Sequence, residues 1–419
     1  TTLKFSWNSL NSFSMRVLAE PLRTNSTLTN LDISWNSIQD DGAMALAASL
    51  RFNDTLQELY LTHNDIKEKG GMVLGDCLKE NRGLKKVVCN DNPFGTRGGR
   101  GILRGLRWMC EFGIKRTMFF DSCNFAYMDT SSQLFDPAEA AGTWECSLDD
   151  PYQRTVANEL VELAWTQPGE NWKDETLDGK PYELIEPAPG QVLTRDDFKL
   201  PEEGILSVTY VPSERISRRS DVLSAATFFE LVGLINAAKN EPDRVGLIKL
   251  ASDEFFFTAE NTATLMTMFP AGGMLRVEVA SLMLPRTVDV VNWNREIFNR
   301  LNDGELARLA TKLGQLFAFS PRNPTNHYRL ELSKYNDRIL FRRLVEIARE
   351  EREFRRVRMQ KLEHLGVSIG GAINSSQKGD FDNWRNERIK GGMINIKGNT
   401  EPQLMHPESS GTWEPLDID

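Results

Sequence analysis

The first 110 residues of this chain repeat with a period of 28 residues, and this period constrains the fold more than any other feature. Each repeat places apolar residues and one asparagine in the same order. The four repeats are Leu3-x-Phe5-x-x-Asn8-x-Leu10, Leu28-x-x-Leu31-x-Ile33-x-x-Asn36-x-Ile38, Leu56-x-x-Leu59-x-Leu61-x-x-Asn64-x-Ile66 and Leu84-x-x-Val87-x-Cys89-x-x-Asn92-x-Phe94. The alternation of Leu31 and Ile33 predicts a short strand with both side chains on one side. One repeat cannot bury its apolar face alone, so we expect the repeats to stack.

The second half of each repeat predicts a helix, because apolar residues recur four positions apart and so share one helix face. These residues are Leu18, Leu46, Leu74 and Ile102, followed by Leu22, Leu50, Leu78 and Leu106. Gly42, Gly70 and Gly98 stand where the chain enters the helix, and Asn25, Asn53 and Asn81 stand where it leaves. We expect these asparagines to adopt the left-handed conformation that ends many helices. This interpretation is preferred over the N-glycosylation pattern that Asn25 and Asn53 also fit.

The repeat resembles the leucine-rich repeat, in the longer form typified by ribonuclease inhibitor. The resemblance implies an α/β solenoid in which the side-chain amide of Asn36 bonds backbone groups of adjacent turns. A fifth, irregular repeat, Met118-x-Phe120-x-x-Cys123-x-Phe125, follows at a step of 31 residues. Atypical end repeats cap such arrays, so we predict a solenoid over residues 1–125. Because the sequence starts and stops inside strand patterns, we expect further repeats upstream and further protein beyond residue 419.

The strand residues between the inward positions are expected to line the concave face of the solenoid. They are Lys4 and Ser6, Asp32 and Ser34, Tyr60 and Thr62, and Val88 and Asn90, with Trp7, Trp35, His63 and Asp91 beside them. One interpretation is a stripe that binds a protein partner. The other is ordinary solvated surface, with both tryptophans packed on neighbouring turns. For any single residue the second interpretation is preferred, whereas partner binding is preferred for the face as a whole.

A second duplication lies in the rest of the chain. Residues 135–164 align without a gap with residues 319–348, at an offset of 184, and eight positions are identical. In each copy, alternating apolar residues predict a strand, which is followed by a polar break and an amphipathic helix. The expected fold class is therefore an α/β solenoid followed by α+β, mainly helical modules. The domains predicted after the solenoid are 126–212, a strand–helix module with an acidic linker; 213–318, a helical domain; and 319–419, a second module with a long charged helix.

The predicted helical domain contains RVGLIKLASDEFFFTAENTATLMTMF. This segment is similar to a small helical domain of unknown function found in bacteria and in some eukaryotic multi-domain proteins, and the resemblance implies no activity. Near the end of the domain, Asp303 is predicted to cap a helix over residues 305–317. Trp172 and Trp384 recur in the duplicated modules and are expected to dock the segment that follows each module helix.

Two charged residues of the duplicated helix recur with it, as Arg154 and Glu162 in the first copy and Arg338 and Glu346 in the second. An acid–base role would suit a catalytic site. However, residues eight apart lie about two helical turns from each other, and no histidine, cysteine or second carboxylate recurs with them. A structural ion pair or a partner contact is therefore the preferred interpretation.

The helix of the second copy continues into a highly charged run. Residues 342–361 hold eight basic and four acidic side chains. Opposite charges three or four residues apart support a solvated helix, and this interpretation is preferred. The alternative is a basic ridge that contacts an acidic partner, such as the tail of tubulin. The residues of this candidate ridge are Arg349, Arg352, Arg355, Arg356 and Arg358.

The sequence contains no motif typical of an enzyme, a metal site or a cofactor site. The histidines are scattered, and none stands at metal-ligand spacing with a cysteine or a carboxylate; they are His63, His327, His364 and His406. The glycine-rich stretch 95–101 lacks the Gly-Lys-Ser/Thr ending of a phosphate loop. Five cysteines without a paired motif predict free thiols in a reducing compartment. We therefore expect no catalysis, no metal and no cofactor.

The net charge of −9 is unevenly distributed along the chain. Residues 1–125 carry +3, residues 126–220 carry −11 and residues 221–419 carry −1. None of these parts has the basic excess typical of nucleic-acid binders, and no long apolar run predicts a membrane span. The expected partners are therefore other proteins, and neither nucleic acid nor a membrane.

Repeats joined to duplicated modules usually build binding surfaces. The stretch LTNLDISWNSIQDDGAMALAASLRFNDTLQELYLTHNDI is similar to leucine-rich-repeat proteins of motile cilia. This resemblance implies a non-catalytic scaffold of the cytoplasm and cytoskeleton, which docks complexes along axonemal microtubules and whose neighbours include tubulin or axonemal subunits. One alternative is a cytosolic regulator of a GTPase, in which Arg97 or Arg100 supplies a contact. Another is an innate-immune leucine-rich-repeat protein.

Overall fold

The computed structural model of this chain describes residues 1–111, 113–126, 134–166, 171–182, 200–211, 222–319, 324, 327–364, 393–397, 403–407 and 413–415. The chain forms two compact units, an N-terminal unit, Thr1–Phe256, and a C-terminal unit, Phe257–Asp419. The boundary between them lies inside the stretch 213–318, for which the sequence predicts a helical domain. The four domains named from the sequence remain predictions.

Four strand–helix repeats and a fifth strand begin the N-terminal unit. The elements are β1 (Thr2–Lys4), α1 (Ser12–Leu22), β2 (Asn30–Asp32), α2 (Gln39–Leu50), β3 (Glu58–Tyr60), α3 (Glu68–Glu80), β4 (Lys86–Val88), α4 (Gly95–Glu111) and β5 (Thr117–Phe119). The strands form one parallel sheet in the order β1-β2-β3-β4-β5. Its register pairs Leu3 with Leu31, Leu31 with Leu59, Leu59 with Val87, and Val87 with Met118. The 28-residue period of the sequence is therefore the register of the first four strands, and the irregular step of 31 residues is the register of the fifth.

The inward strand residues and the repeated helix residues share one core. Leu31, Leu59 and Leu46 are buried, and each such leucine stabilises the fold by about 2 kcal/mol. Helices α3 and α4 approach closely because glycines face each other between them. A Cβ atom on Gly75 would clash with the carbonyl oxygen of Gly101, so a larger residue there would force the two helices apart.

The asparagines at the helix ends do not have the predicted left-handed conformation. None of the three has a positive φ, and Asn81 is extended, with φ −64° and ψ 132°. The prediction was wrong because these side chains bridge neighbouring repeats instead of ending a helix locally. The amide of Asn53 donates to the carbonyl oxygens of Leu22 and Asn25, and its oxygen accepts from the N–H of Leu56. Asn53 is 2% exposed, which excludes a glycan on it in this fold.

The first strand–helix module and two helices complete the described part of the N-terminal unit. Its elements are β6 (Gly142–Ser147), α5 (Pro151–Thr166), β7 (Trp172–Leu177), β8 (Lys180–Pro181), β9 (Ile205–Tyr210), α6 (Ala225–Ala237) and α7 (Glu241–Glu254). The strands form an antiparallel sheet in the order β6-β9-β7-β8. As predicted, Trp172 docks the segment after the helix: it is buried, and its indole N–H lies 3.3 Å from the carbonyl oxygen of Leu160. Trp384 lies outside the described residues.

The C-terminal unit begins with helices and continues into the second module. Its elements are α8 (Ala259–Thr267), α9 (Met274–Met283), α10 (Trp293–Glu296), α11 (Asp303–Leu313), α12 (Gln315–Ala318), β10 (His327–Glu331), α13 (Tyr335–His364), β11 (Met393–Lys397), β12 (Gln403–Pro407) and β13 (Trp413–Pro415). The strands form an antiparallel sheet in the order β10-β11-β12-β13. The cap of α11 is Asn302 rather than Asp303, because Asn302 and Glu305 bond each other's backbone N–H groups in a capping box.

The two modules share contacts as well as sequence. In each, a guanidinium donates to the carbonyl at the end of the first strand, from Arg154 to Leu148 and from Arg338 to Leu332. In each, a phenylalanine packs edge-on against the aromatic residue of that strand. These ring pairs are Phe135–Trp144 and Phe319–Tyr328. Both kinds of contact recur at the offset of 184, so the duplication seen in the sequence is also a duplication of local structure.

Candidate partner-binding surface

Three aromatic rings form a ladder along one edge of the parallel sheet. At the end of each strand the chain turns through a residue with positive φ: 61° at Trp7, 57° at Trp35 and 55° at His63. Since the strands are neighbours in register, these rings stack. The centroids of Trp7 and Trp35 are 4.4 Å apart, and those of Trp35 and His63 are 4.2 Å apart. We call Trp7, Trp35 and His63 the aromatic ladder; Trp7 is 71% exposed and Trp35 is 38% exposed.

A row of buried asparagines holds the backbone beneath the aromatic ladder. This asparagine ladder consists of Asn36, Asn64 and Asn92, which each follow a positive-φ residue. The oxygen of Asn92 accepts from the N–H groups of Asn64 and Ile66, and its amide donates to carbonyl oxygens of two repeats. Asn36 makes the equivalent bonds to its own neighbours. The bonding between adjacent turns that the resemblance implied is confirmed, and it makes this edge of the sheet rigid.

The other predicted surface residues lie in rows across the sheet. Tyr60 is central: its hydroxyl donates to the carboxylate of Glu58 at 2.7 Å and lies 3.1 Å from the ammonium of Lys86. Asn90 accepts from the N–H of Asp121 at 2.8 Å. Polar and aromatic groups therefore cover the sheet beside the aromatic ladder.

The remaining members of the predicted set occupy neighbouring positions. Lys4, Asp32 and Tyr60 are register partners on adjacent strands. Lys4 is exposed, Asp32 and Thr62 are half-buried, and Ser34 is buried. The N–H of Ser34 donates to the side chain of Asp32. The structure thus brings the predicted residues together on one face.

Sequence reasoning missed a buried charge cluster on the helical side of the repeats. Its members are Asp76, Lys79, Arg104, Glu159, Glu162 and Glu254. The ammonium of Lys79 lies 2.8 Å from each carboxylate of Glu159 and Glu162 and 3.5 Å from Asp76. Arg104 contacts Glu159 at 2.8 Å and Glu254 at 2.9 Å. These ion pairs connect helices α3 and α4 of the repeats to α5 and α7.

A periodic signal pointed to this cluster. A basic residue recurs at the 28-residue spacing near the end of each repeat helix, as Arg23, Arg51, Lys79 and Arg107. A cation near a helix C-terminus is favoured by the helix dipole, so the pattern by itself has an ordinary explanation. What distinguishes Lys79 is its burial at 1% exposure, and that depends on the module packed against it.

The cluster displaces the pKa values of its members in opposite directions. Burial raises the pKa of Glu159, but the charges of Arg104 and Lys79 outweigh burial and lower it to about 2. Burial lowers the pKa of Lys79, yet Glu159 and Glu162 outweigh burial and raise it above its ordinary value. For Asp76, burial is the larger effect and the pKa is raised. The cluster is a set of mutually paired charges whose centre, Lys79 and Glu159, is buried.

A cleft of ≈ 270 Å³ lies between the repeat helices and the first module. It is lined by both signs of charge, including Arg51 and Arg154 and the acids Asp76 and Glu202. Arg51 is paired with Glu80 at 2.6 Å. The guanidinium of Arg154 donates to backbone carbonyls, among them that of Glu202 at 2.9 Å. These two arginines of the cleft are therefore engaged in contacts within the N-terminal unit.

The structure places the recurrent Arg154 and Glu162 in separate contacts. Arg154 bonds carbonyl oxygens of its own module, while Glu162 pairs with Lys79. The two do not form one ion pair, and each has a structural partner. Arg100, which the GTPase-regulator alternative would use, lies within α4 and pairs with Glu254 at 2.9 Å and with Asp136 at 3.4 Å. Its guanidinium is thus engaged in the interior of the N-terminal unit.

The candidate basic ridge lies on α13. Arg349 and Arg352 are exposed on this helix. The side chains of Arg355, Arg356 and Arg358 lie outside the described residues. The long helix that the sequence predicted for this charged run is present and extends to His364.

Most of the cysteine thiols are buried. The five cysteines form no disulfide bond, and burial raises the pKa of Cys77 and Cys123 to about 12 and that of Cys146 to about 11, which suppresses the reactive thiolate of these three. Within the described ranges, no cluster of three or more histidine, cysteine or carboxylate side chains could hold a metal ion. Among the described helices, none combines the length and the apolar character needed to cross a bilayer.

Comparisons with known proteins bear on the repeats alone. The family model described as Leucine Rich repeat matches residues 24–47 and 52–75, so these residues form leucine-rich repeats. No curated protein matches the chain significantly. A solved structure titled Leiomodin-1 Actin-Binding Site 2 (ABS2) is similar at 17% identity, over 38% of this chain and 78% of that one, with a TM-score of 0.27. At that TM-score the likeness carries no inference about what this chain binds.

Proposed function

We propose that this chain is a non-catalytic scaffold that binds other proteins through the open face of its parallel sheet. Leucine-rich repeats generally present such faces to protein partners. The observation that carries the proposal is the aromatic ladder, in which the stacked Trp7 and Trp35 are 71% and 38% exposed. Tryptophan combines a large apolar area with a polar N–H group, and it is enriched in protein interfaces for that reason.

The rigidity of the surface supports the proposal. The asparagine ladder bonds the backbone of each turn to its neighbours directly beneath the exposed rings. A surface that is already ordered loses little conformational entropy when a partner binds. The non-catalytic part of the proposal rests on the charge cluster. Glu159, the acid whose pKa is strongly lowered, and the cation Lys79 are paired with each other and buried.

The narrower form of the proposal is a structural component that docks complexes on ciliary or flagellar axonemal microtubules. In this form, the repeats belong to a solenoid of the ribonuclease-inhibitor type and the protein resides in the cytoplasm and the axoneme. Two observations support this form: the resemblance of the repeat sequence to leucine-rich-repeat proteins of motile cilia, and the exposed basic side chains of Arg349 and Arg352 on α13. Clustered basic groups attract an acidic polymer surface at low ionic strength.

Sedimentation with purified filaments tests the narrower form. We expect the chain to sediment with microtubules, and to do so less after the acidic tails of tubulin are removed. The double variant Arg349→Glu/Arg352→Glu should weaken sedimentation, whereas Arg308→Glu, on an exposed position of α11, should not. Equal sedimentation with actin filaments would overturn the tubulin assignment.

Cross-linking in cells tests the broader form. A photo-reactive amino acid at Thr62 or Asn90, on the sheet face, is expected to cross-link reproducibly to one or a few proteins. The same amino acid at Lys173, an exposed position of β7, serves as the control. Cross-links from Lys173 and none from the sheet face would overturn the proposal that this face binds partners.

A further inference from the structure

The spacing of the aromatic ladder matches a particular backbone conformation. The ring centroids of successive rungs are 4.4 and 4.2 Å apart, so the two steps from Trp7 to His63 together span about 8.6 Å. One turn of a polyproline II helix has three residues and rises about 9.3 Å. An extended segment in this conformation therefore places equivalent residues opposite the first and the last rung.

The ladder presents hydrogen-bond donors without acceptors. Because Trp35 is stacked on both sides, its ring edge rather than its faces remains open. Within the described residues, the indole N–H groups of Trp7 and Trp35 donate to no acceptor. A polyproline II backbone has no internal hydrogen bonds, so its carbonyl oxygens can accept from these two donors. A helix or a paired strand has already used its carbonyl groups.

The charged residues around the aromatic ladder indicate whether its partner is acidic or basic. Three repeats contribute the residues that surround Trp35 and His63, namely 32–37, 60–65 and 88–93. The charged residues of these ranges are all acidic: Asp32, Asp65 and Asp91. Lys4, exposed on β1, is the register partner of Asp32 near the Trp7 end of the aromatic ladder, whereas Lys86 lies at the other end of its strand and contacts Tyr60. The acidic excess therefore lies at the His63 end, where Asp65 and Asp91 are exposed, and this part of the rim is complementary to a basic segment.

We propose that the aromatic ladder binds a proline-rich, basic segment of a protein partner in the polyproline II conformation. The proposal rests on the proposed function and specifies its ligand class. The proline rings of the segment pack along the indole edges of Trp7 and Trp35. The carbonyl oxygens of the segment accept hydrogen bonds from the two indole N–H groups. Its arginine or lysine side chains pair with the acidic rim. Aromatic-lined grooves recognise such segments at low entropic cost, because the ligand is already ordered.

Fluorescence anisotropy with labelled nonapeptides tests this assignment. The probes are (Pro-Pro-Arg)₃, its acidic counterpart (Pro-Pro-Glu)₃ and the flexible basic peptide (Gly-Ser-Arg)₃. We expect (Pro-Pro-Arg)₃ to bind at least about tenfold more tightly than either other peptide at low salt, and to lose affinity as salt screens the rim. Equal affinity for the acidic and the basic proline peptides would overturn the role of the rim. Tighter binding of an oligothymidylate would assign the ladder to nucleic acid instead.

Two substitutions of Trp35 distinguish the contribution of the aromatic ring to peptide binding from that of the indole N–H group. Trp35→Ala is expected to weaken binding of (Pro-Pro-Arg)₃ about tenfold or more, which corresponds to about 1.4 kcal/mol. Trp35→Phe keeps an aromatic ring without the N–H group, so its affinity for (Pro-Pro-Arg)₃ should lie between those of the wild type and Trp35→Ala. The matched control is Phe229→Ala on α6, because Phe229 is 73% exposed in the same compact unit. An unchanged affinity of Trp35→Ala would overturn the proposal.

The outcome for the peptide and the outcome for the scaffold are distinguishable. If the sheet face cross-links to a partner in cells but none of the peptides binds, the ligand class is wrong and the scaffold proposal stands. If (Pro-Pro-Arg)₃ binds but no partner cross-links, the ladder is a peptide site outside a stable assembly, and the scaffold proposal fails.

Discussion

The ammonium group of Lys79 lies 2.8 Å from the carboxylate of Glu159, although the two residues are 80 positions apart in the chain. Both are buried, with Lys79 only 1% exposed. Lys79 belongs to a repeat helix and Glu159 to the first module, so this pair is one of the ion pairs that hold the two parts of the N-terminal unit together. Removing one member leaves the other without its counter-charge in a low-dielectric environment, which is costly.

Substitution of Lys79 by methionine is expected to destabilise the N-terminal unit by about 3–5 kcal/mol, because Glu159 and Glu162 then lose their shared cation. Urea unfolding followed by circular dichroism measures this change. Lys85→Met removes an exposed lysine from the same repeats and should change the free energy of unfolding by under about 0.5 kcal/mol. Similar losses in both variants would contradict the importance of the buried pair.

Acid is expected to weaken the N-terminal unit through Glu159. Its pKa is lowered from 4.5 to about 2, so its contribution is fully present above pH 4.5 and is lost as the pH falls towards 2. The difference corresponds to about 3 kcal/mol. Asp76 opposes this trend, because its pKa is raised and its contribution is present at low pH and lost as the pH rises through its folded value.

Glu159→Gln is the variant that checks this pH dependence. It should be less stable at pH 7, since Lys79 and Arg104 lose a carboxylate, and it should lose less stability than the wild type between pH 4.5 and pH 2.5. Urea titrations at a series of pH values measure both effects. Asp149→Asn, at an exposed position, is expected to keep the wild-type slope. If the stability of Glu159→Gln depends on pH as strongly as that of the wild type, Glu159 is not the source of the pH dependence.

Loss of one member of the asparagine ladder is expected to destabilise the repeats. Asn92→Ala removes bonds to the N–H groups of Asn64 and Ile66 and to several carbonyl oxygens, and these groups stay buried without partners. We expect a loss of about 2–4 kcal/mol. Asn8→Ala is the control, because Asn8 occupies the same position of the first repeat, is exposed and donates its amide to Ser6 alone. Thermal unfolding compares the two, and an equal shift in both would refute the ladder's role.

The duplicated arginines are expected to differ in importance. Arg154 is buried and bonds the carbonyl oxygens of Leu148 and Pro201, whereas Arg338 is exposed and bonds Leu332 at the equivalent position. Arg154→Ala should cost about 2 kcal/mol and Arg338→Ala less than about 1 kcal/mol. Hydrogen exchange of β9 and β10 shows which module loosens. A larger effect from Arg338→Ala would contradict the ranking by burial.

Much of the candidate surface was predictable from the sequence. In a stack of parallel strands, residues that are one repeat apart in the sequence lie next to each other in space. Trp7, Trp35 and His63 recur every 28 residues, and strands paired in that register place equivalent residues about 4.8 Å apart. The same reasoning predicted the bonding of Asn36. One of its two interpretations, that both tryptophans pack on neighbouring turns, agrees with the stacking of Trp7 on Trp35 and of Trp35 on His63. It did not predict the face-to-face geometry with open N–H groups, because side-chain orientation depends on the positive φ at each rung.

The helix-end asparagines show where local reasoning is insufficient. A left-handed conformation at Asn81 would end its helix by a bond within one repeat. In the structure its extended backbone lets the amide reach Leu50 and Asn53 of the preceding repeat. Satisfying two buried carbonyl groups contributes more than a local cap does, so the contact between repeats determines the conformation.

The sequence by itself determined the repeat, its register, the row of aromatic residues and the duplication of the modules, because each of these is set by residues at fixed spacing in one segment. Only the tertiary structure decided which charges are buried. Lys79 has the same place in its repeat as Arg51, which remains at the rim of a cleft, and the difference arises because α5 covers Lys79 with Glu159 and Glu162. The free energy of a charge depends on what surrounds it, and those surroundings are supplied by a segment 80 residues away.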